Sequence, residues 1–273
     1  MWLFNNGEEM IDFFEYIFLA IIQGITEFLP VSSSGHIELS KHFFNNSTIQ
    51  NTGAFTTVVL HLATALSIIF IYREKLKKIL FVNTKESKSY FLKIITSVIP
   101  VFILVIFNID ELIEIQYNNG WSLGFLSLMF LITGFILFIT EKINIKAKSI
   151  SFAAALLIGV VQAIAILPGI SRSGATICCA LLLGATKKEA STFSFIICLP
   201  IIIGKSFKDL FFTDIPITTT INLNILFAFI VTFFIGLLCC KLMISIVNQS
   251  KLKYFGAYCI FISFSSFLVF IFK

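Results

Sequence analysis

Long apolar stretches dominate this sequence of 273 residues. A helix that crosses the hydrocarbon core of a bilayer needs about 20 mostly apolar residues. Five stretches meet that requirement and a sixth does so with its flanking residues; they cover 54–72, 90–107, 121–140, 215–240, 254–272 and 190–204. Only 13% of the residues are charged, whereas soluble domains carry roughly 25%. The sequence therefore predicts an all-α, polytopic integral membrane protein and excludes a single soluble domain.

Two further apolar regions are interrupted by proline, glycine and clustered serines. The first region carries Gln23 and Glu27 before its proline, and the second ends at Pro168. Non-helical backbone at membrane depth is tolerated only where it is buried in protein or lines a watery cavity. We therefore predict two re-entrant helical hairpins, at about residues 13–45 and 150–186.

The two hairpin regions also resemble each other in sequence. The segment QGITEFLPVSSSG begins at Gln23, and QAIAILPGISRSG begins at Gln162. Each hairpin is followed by three predicted spans, and an odd number of crossings turns the second half upside down. We predict two inverted repeats, 1–145 and 146–273, that form one membrane domain. Inverted repeats with broken helices are common in transporters.

Lysine and arginine are concentrated on one side of the predicted spans. The segment 73–88 contains six of them, and the acidic residues Asp110, Glu111 and Glu114 fall on the opposite side. Segments rich in lysine and arginine stay in the cytoplasm. We therefore predict that 73–88 is cytoplasmic and that 110–118 faces outward.

Glu27 and Arg172 are ionisable residues within the two broken regions. A charged residue at the centre of an apolar helix costs about 2.5–3.5 kcal/mol on insertion scales, and such residues usually mark functional sites. Arginine presents a planar fork that binds phosphate with two hydrogen bonds. Gln23 lies one helical turn before Glu27, on the same face. The alternative is purely structural: an ion pair of Arg172 with Glu27, or a polar pair of Gln23 with Glu27.

Clusters of serine and glycine begin the second helix of each hairpin. The start of a helix offers free N–H groups and the positive end of its dipole, so these clusters suit a phosphate group as well as ordinary capping. We predict substrate contacts from Ser34, Gly35, Ser171, Ser173, Gly174 and Thr176. His36 follows the first cluster directly and is given a catalytic role, whereas the mid-span His61 is interpreted as a packing residue.

These motifs resemble those of the undecaprenyl-diphosphate phosphatases of the bacitracin-resistance family. The similarity is carried by EFLPVSSSGH (27–36), PGISRSGAT (168–176) and EASTFSF (189–195), and it covers essentially the whole chain in length and segment order. The resemblance implies hydrolysis of undecaprenyl diphosphate to undecaprenyl phosphate and inorganic phosphate. That reaction recycles the lipid carrier for cell-wall synthesis and gives bacitracin resistance.

The resemblance also implies roles for single residues. Glu27 would hold a divalent metal, Mg²⁺ or Ca²⁺, or transfer protons, with Gln23 as a second metal ligand. Ser33 or His36 would be the nucleophile or the base, and Arg172 would clamp the diphosphate. Gln23 stands where many members of the family have Glu, which weakens a metal site built from two carboxylates.

The resemblance further implies a place and partners. The chain would be a multi-pass protein of the bacterial inner membrane, with its active site open to the outer face. Its partners would be the bilayer and a polyprenyl diphosphate lipid, with no nucleic acid, and a homodimer is left open. The alternative function is a transporter or flippase of a phosphorylated polyprenyl lipid, in which Glu27 and Arg172 bind the headgroup without cleaving it.

Overall fold

The structure, a computed structural model, describes residues 7–43, 54–118, 122–141, 149–212 and 223–272. Eleven α-helices lie within these ranges. The first half contributes α1 (Gly7–Thr26), α2 (Ser33–Phe43), α3 (Ala54–Phe81), α4 (Lys85–Ile106), α5 (Ile109–Asn118) and α6 (Ser122–Glu141). The second half contributes α7 (Phe152–Ile164), α8 (Arg172–Leu182), α9 (Lys187–Phe212), α10 (Leu223–Asn248) and α11 (Lys253–Ile271).

Six of these helices are long and apolar enough to cross a membrane: α3, α4, α6, α9, α10 and α11. Each coincides with one of the six predicted spans, so the prediction of an all-helical, polytopic chain is confirmed. Large apolar side chains such as Phe102, Phe234 and Phe261 are exposed on their outer faces. Lipid solvates such a surface and water does not. The chain is therefore a multi-pass membrane protein.

Two spanning helices continue beyond the apolar stretches 54–72 and 190–204 from which they were predicted. Helix α3 runs to Phe81, so the first basic residues of the segment 73–88 lie on its last turns. Helix α9 runs to Phe212, so Lys205 lies on the helix. Lysine, arginine and glutamate are good helix formers, and the helices therefore extend beyond their apolar stretches.

Both broken regions form a helix, a turn and a second helix, as predicted. Residues 27–32 join α1 to α2, and residues 165–171 join α7 to α8. Ser32 (φ 70°) and Gly169 (φ 96°) have left-handed backbone conformations that reverse the chain within a few residues. Parts of the predictions lie outside the described residues, namely 44–45 of the first hairpin, 121 of the third span, 215–222 of the fifth span and the repeat boundary at 145–146.

Each hairpin packs against a helix of the other half. Helix α1 lies against α10, and α7 lies against α4. The Thr232 hydroxyl on α10 donates a 3.1 Å hydrogen bond to the Ala20 carbonyl on α1. At the other crossing Gly159 of α7 faces the Ser97 carbonyl of α4, and a Cβ there would lie 2.3 Å from that oxygen. Small residues let helix backbones approach this closely in membranes.

An aromatic core supports the first turn. Phe28 is fully buried, and its ring centroid lies 5.7 Å from that of Phe195 on α9. The Tyr72 ring of α3 lies 6.4 Å from the same Phe195 ring. Large rings contribute most of the apolar contact area in such a core. This packing fixes the backbone that carries Glu27.

Candidate active site

The two hairpin turns touch each other in a reciprocal way. A Cβ added at Gly35, at the start of α2, would lie 3.0 Å from the Cα atom of Gly169 in the second turn. A Cβ added at Gly174, at the start of α8, would lie 3.0 Å from the Cβ atom of Pro30 in the first turn. Each turn therefore packs on the first turn of the other hairpin's second helix, and larger residues would separate them.

The helices that follow the turns begin with matching hydrogen bonds. The Ser32 hydroxyl accepts from the Gly35 N–H at 3.3 Å, and the Ser171 hydroxyl accepts from the Gly174 N–H at 3.1 Å. The last turn residue of each hairpin is thus a serine that caps the helix, as the capping interpretation of the clusters predicted. The other serines of the two clusters, Ser33, Ser34 and Ser173, belong to the first turns of α2 and α8.

An ion pair joins the two hairpins. Nη2 of Arg172, at the start of α8, donates to Oε1 of Glu27, in the first turn. The side chain of Glu27 is 6% exposed and that of Arg172 is 17% exposed. Two charges removed from water in this way require each other, because either one alone would be left buried and unpaired.

The second oxygen of Glu27 accepts two further hydrogen bonds. The Ser33 hydroxyl donates to Oε2 at 2.7 Å, and Nε2 of Gln23 donates to the same atom at 3.1 Å. Both donors belong to the first hairpin. Together with Arg172 they hold Glu27 from both hairpins, and the contact with Ser33 has the ordinary distance of a hydrogen bond from a hydroxyl.

A cavity of about 190 Å³ opens above this cluster. Both turns and the helices α1, α2, α3, α4, α7, α8 and α9 contribute to its wall. The polar wall residues are Thr26, Glu27, Ser32, Ser33, Ser34, Thr57, His61, Gln162, Ser171, Arg172, Ser173, Lys205, Ser206 and Asp209. The wall therefore combines hydroxyl groups, two cations, two carboxylates and an amide, together with an imidazole.

The structure brings six of the predicted site residues to this cavity wall: Glu27, Ser33, Ser34, Ser171, Arg172 and Ser173. Five others lie off the wall, namely Gln23, Gly35, His36, Gly174 and Thr176. Gly35 and Gly174 form the contact between the hairpins. The Thr176 hydroxyl lies 2.6 Å from that of Ser194 and donates to the Arg172 carbonyl at 2.8 Å, so it supports α8 from behind.

The His36 ring faces α11, the last helix of the described chain. Its Nε2 lies 2.8 Å from the hydroxyl oxygen of Tyr258 on α11, and the two rings are stacked 5.7 Å apart. Its Nδ1 lies 2.8 Å from the Ser32 carbonyl. Both ring nitrogens thus have partners, and His36 is not among the residues that line the cavity. The structure does not bring His36 to Glu27, and its catalytic role stays a prediction.

His61 lies on the cavity wall, although the sequence interpretation made it a packing residue. Its Nε2 is 3.9 Å from Oε2 of Glu27, and its Nδ1 is 2.8 Å from the Thr57 carbonyl. Lys205 and Asp209 of α9 were also missed. His61 is, like Glu27, an ionisable residue in an apolar stretch, which is a signal of function. That signal does not show which face of the span meets the cavity.

A divalent metal fits this site only with help from a ligand. In the part of the chain that the structure describes, no three or more His, Cys, Asp or Glu side chains are grouped so that they could hold a metal ion. Mg²⁺ often binds through one or two carboxylates together with phosphate oxygens and water. Glu27 and the Ser33 hydroxyl suit such an ion. Gln23 lies behind Glu27, off the cavity wall, and its amide nitrogen is the atom that faces the carboxylate.

The sequence matches a known family over most of its length. The model of the family described as bacitracin resistance protein BacA matches residues 16–265. An undecaprenyl-diphosphatase of Christiangramia forsetii is 42% identical over 252 residues, which cover 91% of this chain and 94% of the relative. One of Thermosipho africanus is 40% identical over 261 residues, covering 93% and 99%. The chain therefore belongs to the bacitracin resistance protein BacA family.

Proposed function

We propose that this protein hydrolyses undecaprenyl diphosphate to undecaprenyl phosphate and inorganic phosphate. Family membership and relatives that bear the name undecaprenyl-diphosphatase support this function. The observation that carries it is the 2.7 Å hydrogen bond from the Ser33 hydroxyl to Glu27, beside the Arg172 guanidinium. A nucleophile, its base and a phosphate-binding cation meet there at the wall of one cavity.

The first step is the attack of Ser33. Its Oγ forms a bond to the terminal phosphorus, and the hydroxyl proton passes to Oε2 of Glu27, with which it is already hydrogen-bonded. The bond from that phosphorus to the bridging oxygen breaks, and undecaprenyl phosphate leaves. Seryl attack assisted by a carboxylate base follows the general logic of an activated nucleophile.

The second step restores the enzyme. Water attacks the phosphorus of the phosphoserine, and the bond to Oγ of Ser33 breaks. Glu27 returns its proton to that oxygen, and both protons of the water stay with the inorganic phosphate. The serine and the carboxylate thus end in the state in which they began.

Arg172 supplies the main positive charge. Phosphoryl transfer is catalysed chiefly by positioning and by neutralising the charge on the phosphoryl oxygens. When a phosphate group accepts hydrogen bonds from the Arg172 guanidinium, the positive charge of Arg172 is shared between the phosphate and Glu27. Glu27 then becomes a stronger base for Ser33. The hydroxyls of Ser34, Ser171 and Ser173, together with the N-terminal ends of α2 and α8, donate to the remaining oxygens.

Glu27 and Ser33 are the residues that would hold a divalent metal, Mg²⁺ or Ca²⁺. When bound, the ion supplies further positive charge to the diphosphate oxygens. One carboxylate gives a weak site, so most of its ligands come from the substrate and water. Gln23 acts here by holding Glu27 in place.

A transporter or flippase of the same lipid is the second candidate. The two hairpins that meet at their turns favour this function, because discontinuous helices of this kind surround the substrate site in many transporters. A transporter needs cations for the headgroup but no hydroxyl aligned on a base. The contact of Ser33 with Glu27 therefore favours cleavage.

We also propose that the two halves are inverted repeats around this site, in a bacterial inner membrane, with the cavity open to the outer face. The paired crossings of α1 with α10 and α7 with α4 support the repeat. The reciprocal contacts of Gly35 and Gly174 support it as well. The lysine-rich segment 73–88 supports the orientation, because such segments stay in the cytoplasm.

Purified protein should release phosphate from a long polyprenyl diphosphate when Mg²⁺ or Ca²⁺ is present, and a chelator should reduce the rate. Phosphate release by wild type and by Gln249→Leu, a change on the exposed surface, gives the measurement and its control. Binding of the lipid diphosphate without release under any metal would overturn the hydrolase and favour the transporter.

Arg172→Lys should lower kcat/KM at least tenfold, which corresponds to about 1.4 kcal/mol or more of transition-state stabilisation. Lysine keeps the charge but loses the planar fork that reaches Glu27 and phosphate together. Steady-state kinetics in detergent measure the loss. Near-normal activity of this variant would mean that Arg172 supplies only bulk positive charge.

A membrane-impermeant maleimide added to intact cells should label Glu111→Cys and leave Lys77→Cys unlabelled. Both wild-type side chains are more than half exposed, so access to the reagent depends on the side of the membrane. Labelling of the wild-type chain gives the background of its six cysteines. The reverse pattern would invert the proposed orientation.

A further inference from the structure

Gln162 is a buried amide on the wall of the active-site cavity. It lies on α7 and is 2% exposed, yet it is among the residues that line the cavity. Neither its Nε2 nor its Oε1 has a hydrogen-bond partner among the residues that the structure describes. Buried side-chain amides almost always have partners, because an unpaired donor or acceptor carries its full cost of desolvation.

The similarity between the two hairpin segments explains why the Gln162 amide has no partner among the described residues. Gln162 and Gln23 begin the two matching segments. In the first hairpin Nε2 of Gln23 donates to Glu27, one helical turn later. In the second hairpin the residue one turn after Gln162 is Ile166, which offers no acceptor. The second glutamine therefore lacks the carboxylate that satisfies the first.

A second open donor lies on the same wall. Nη1 of Arg172 is buried and has no hydrogen-bond partner in the described part of the chain, whereas Nη2 pairs with Glu27. An anion between Arg172 and Gln162 would accept from the guanidinium and from the amide N–H groups. A phosphate group fits this pair, since it carries several acceptor oxygens and, when protonated, an O–H group for the amide oxygen.

We propose that Gln162 and Arg172 together bind a phosphate group of the ligand. A phosphate oxygen then accepts a hydrogen bond from Gln162, as Glu27 accepts one from Gln23. The inference deepens the proposed function by adding a substrate-binding residue to its site. Binding of phosphate does not require cleavage, however, so the inference can be tested even if the hydrolase proposal fails.

Thermal unfolding of the detergent-solubilised full chain, with and without inorganic phosphate, tests the inference. The variants are Gln162→Leu and Gln162→Met, which keep the size of the side chain and remove the amide. Gln249→Leu is the control, because Gln249 is exposed and does not line the cavity. A parallel titration with farnesyl monophosphate shows whether free phosphate or a lipid headgroup is the better ligand.

Without ligand, both Gln162 variants should unfold at a temperature no lower than wild type, because they remove an unpaired buried amide. Added phosphate should raise the unfolding temperature of wild type and Gln249→Leu, and about tenfold more should be needed for Gln162→Leu and Gln162→Met. The KM for a polyprenyl diphosphate should rise by a similar factor.

Two results would overturn the inference. One is equal stabilisation of wild type and of the Gln162 variants by both phosphates, including no stabilisation of any of them. The other is a lower unfolding temperature of both Gln162 variants without ligand, which would make the amide a structural group. If wild type binds phosphate through Gln162 but releases none from the lipid diphosphate, the inference stands and the hydrolase proposal fails.

Discussion

The buried contact between Glu27 and Arg172 is the interaction on which the site depends. Each charge comes from a different hairpin, so the pair forms only when the two halves of the chain have packed together. Removing one partner of a buried pair typically costs about 3–5 kcal/mol, because the other charge stays buried without compensation. The same contact places the Arg172 guanidinium beside the Glu27 carboxylate, to which Ser33 donates a hydrogen bond.

Glycine and serine allow that contact to form. Gly35 and Gly174 let the turns approach closely, and Ser32 and Ser171 satisfy the first N–H groups of the helices that follow. The arrangement is nearly symmetric, but its chemistry is not. Ser33 and Arg172 occupy matching places in the two segments, and so do Glu27 and Ile166. In the proposed mechanism the first hairpin therefore supplies the nucleophile and the base, and the second supplies the cation.

The spans and the hairpins could be predicted from the sequence. The length of an apolar stretch shows whether a helix can cross the bilayer, and proline and glycine within such a stretch show where the helix is interrupted. Glu27, Ser33 and Arg172, which line the cavity, could be singled out because polar groups stand out in apolar segments. The direction of His36 could not be predicted, since its partner Tyr258 lies 222 residues away. His61 was missed because a position in a span does not reveal which face meets a cavity, and Lys205 because α9 extends beyond its apolar stretch.

The most direct test of the central claim is the thermal stability of Glu27→Gln, Arg172→Gln and the double variant. Each single change leaves one buried charge without its partner, whereas the double change leaves two amides that can pair. We predict that the double variant unfolds at a higher temperature than at least one of the single variants, although all three are inactive. Losses of stability that simply add would contradict the claim, because additivity is the behaviour of residues that do not interact.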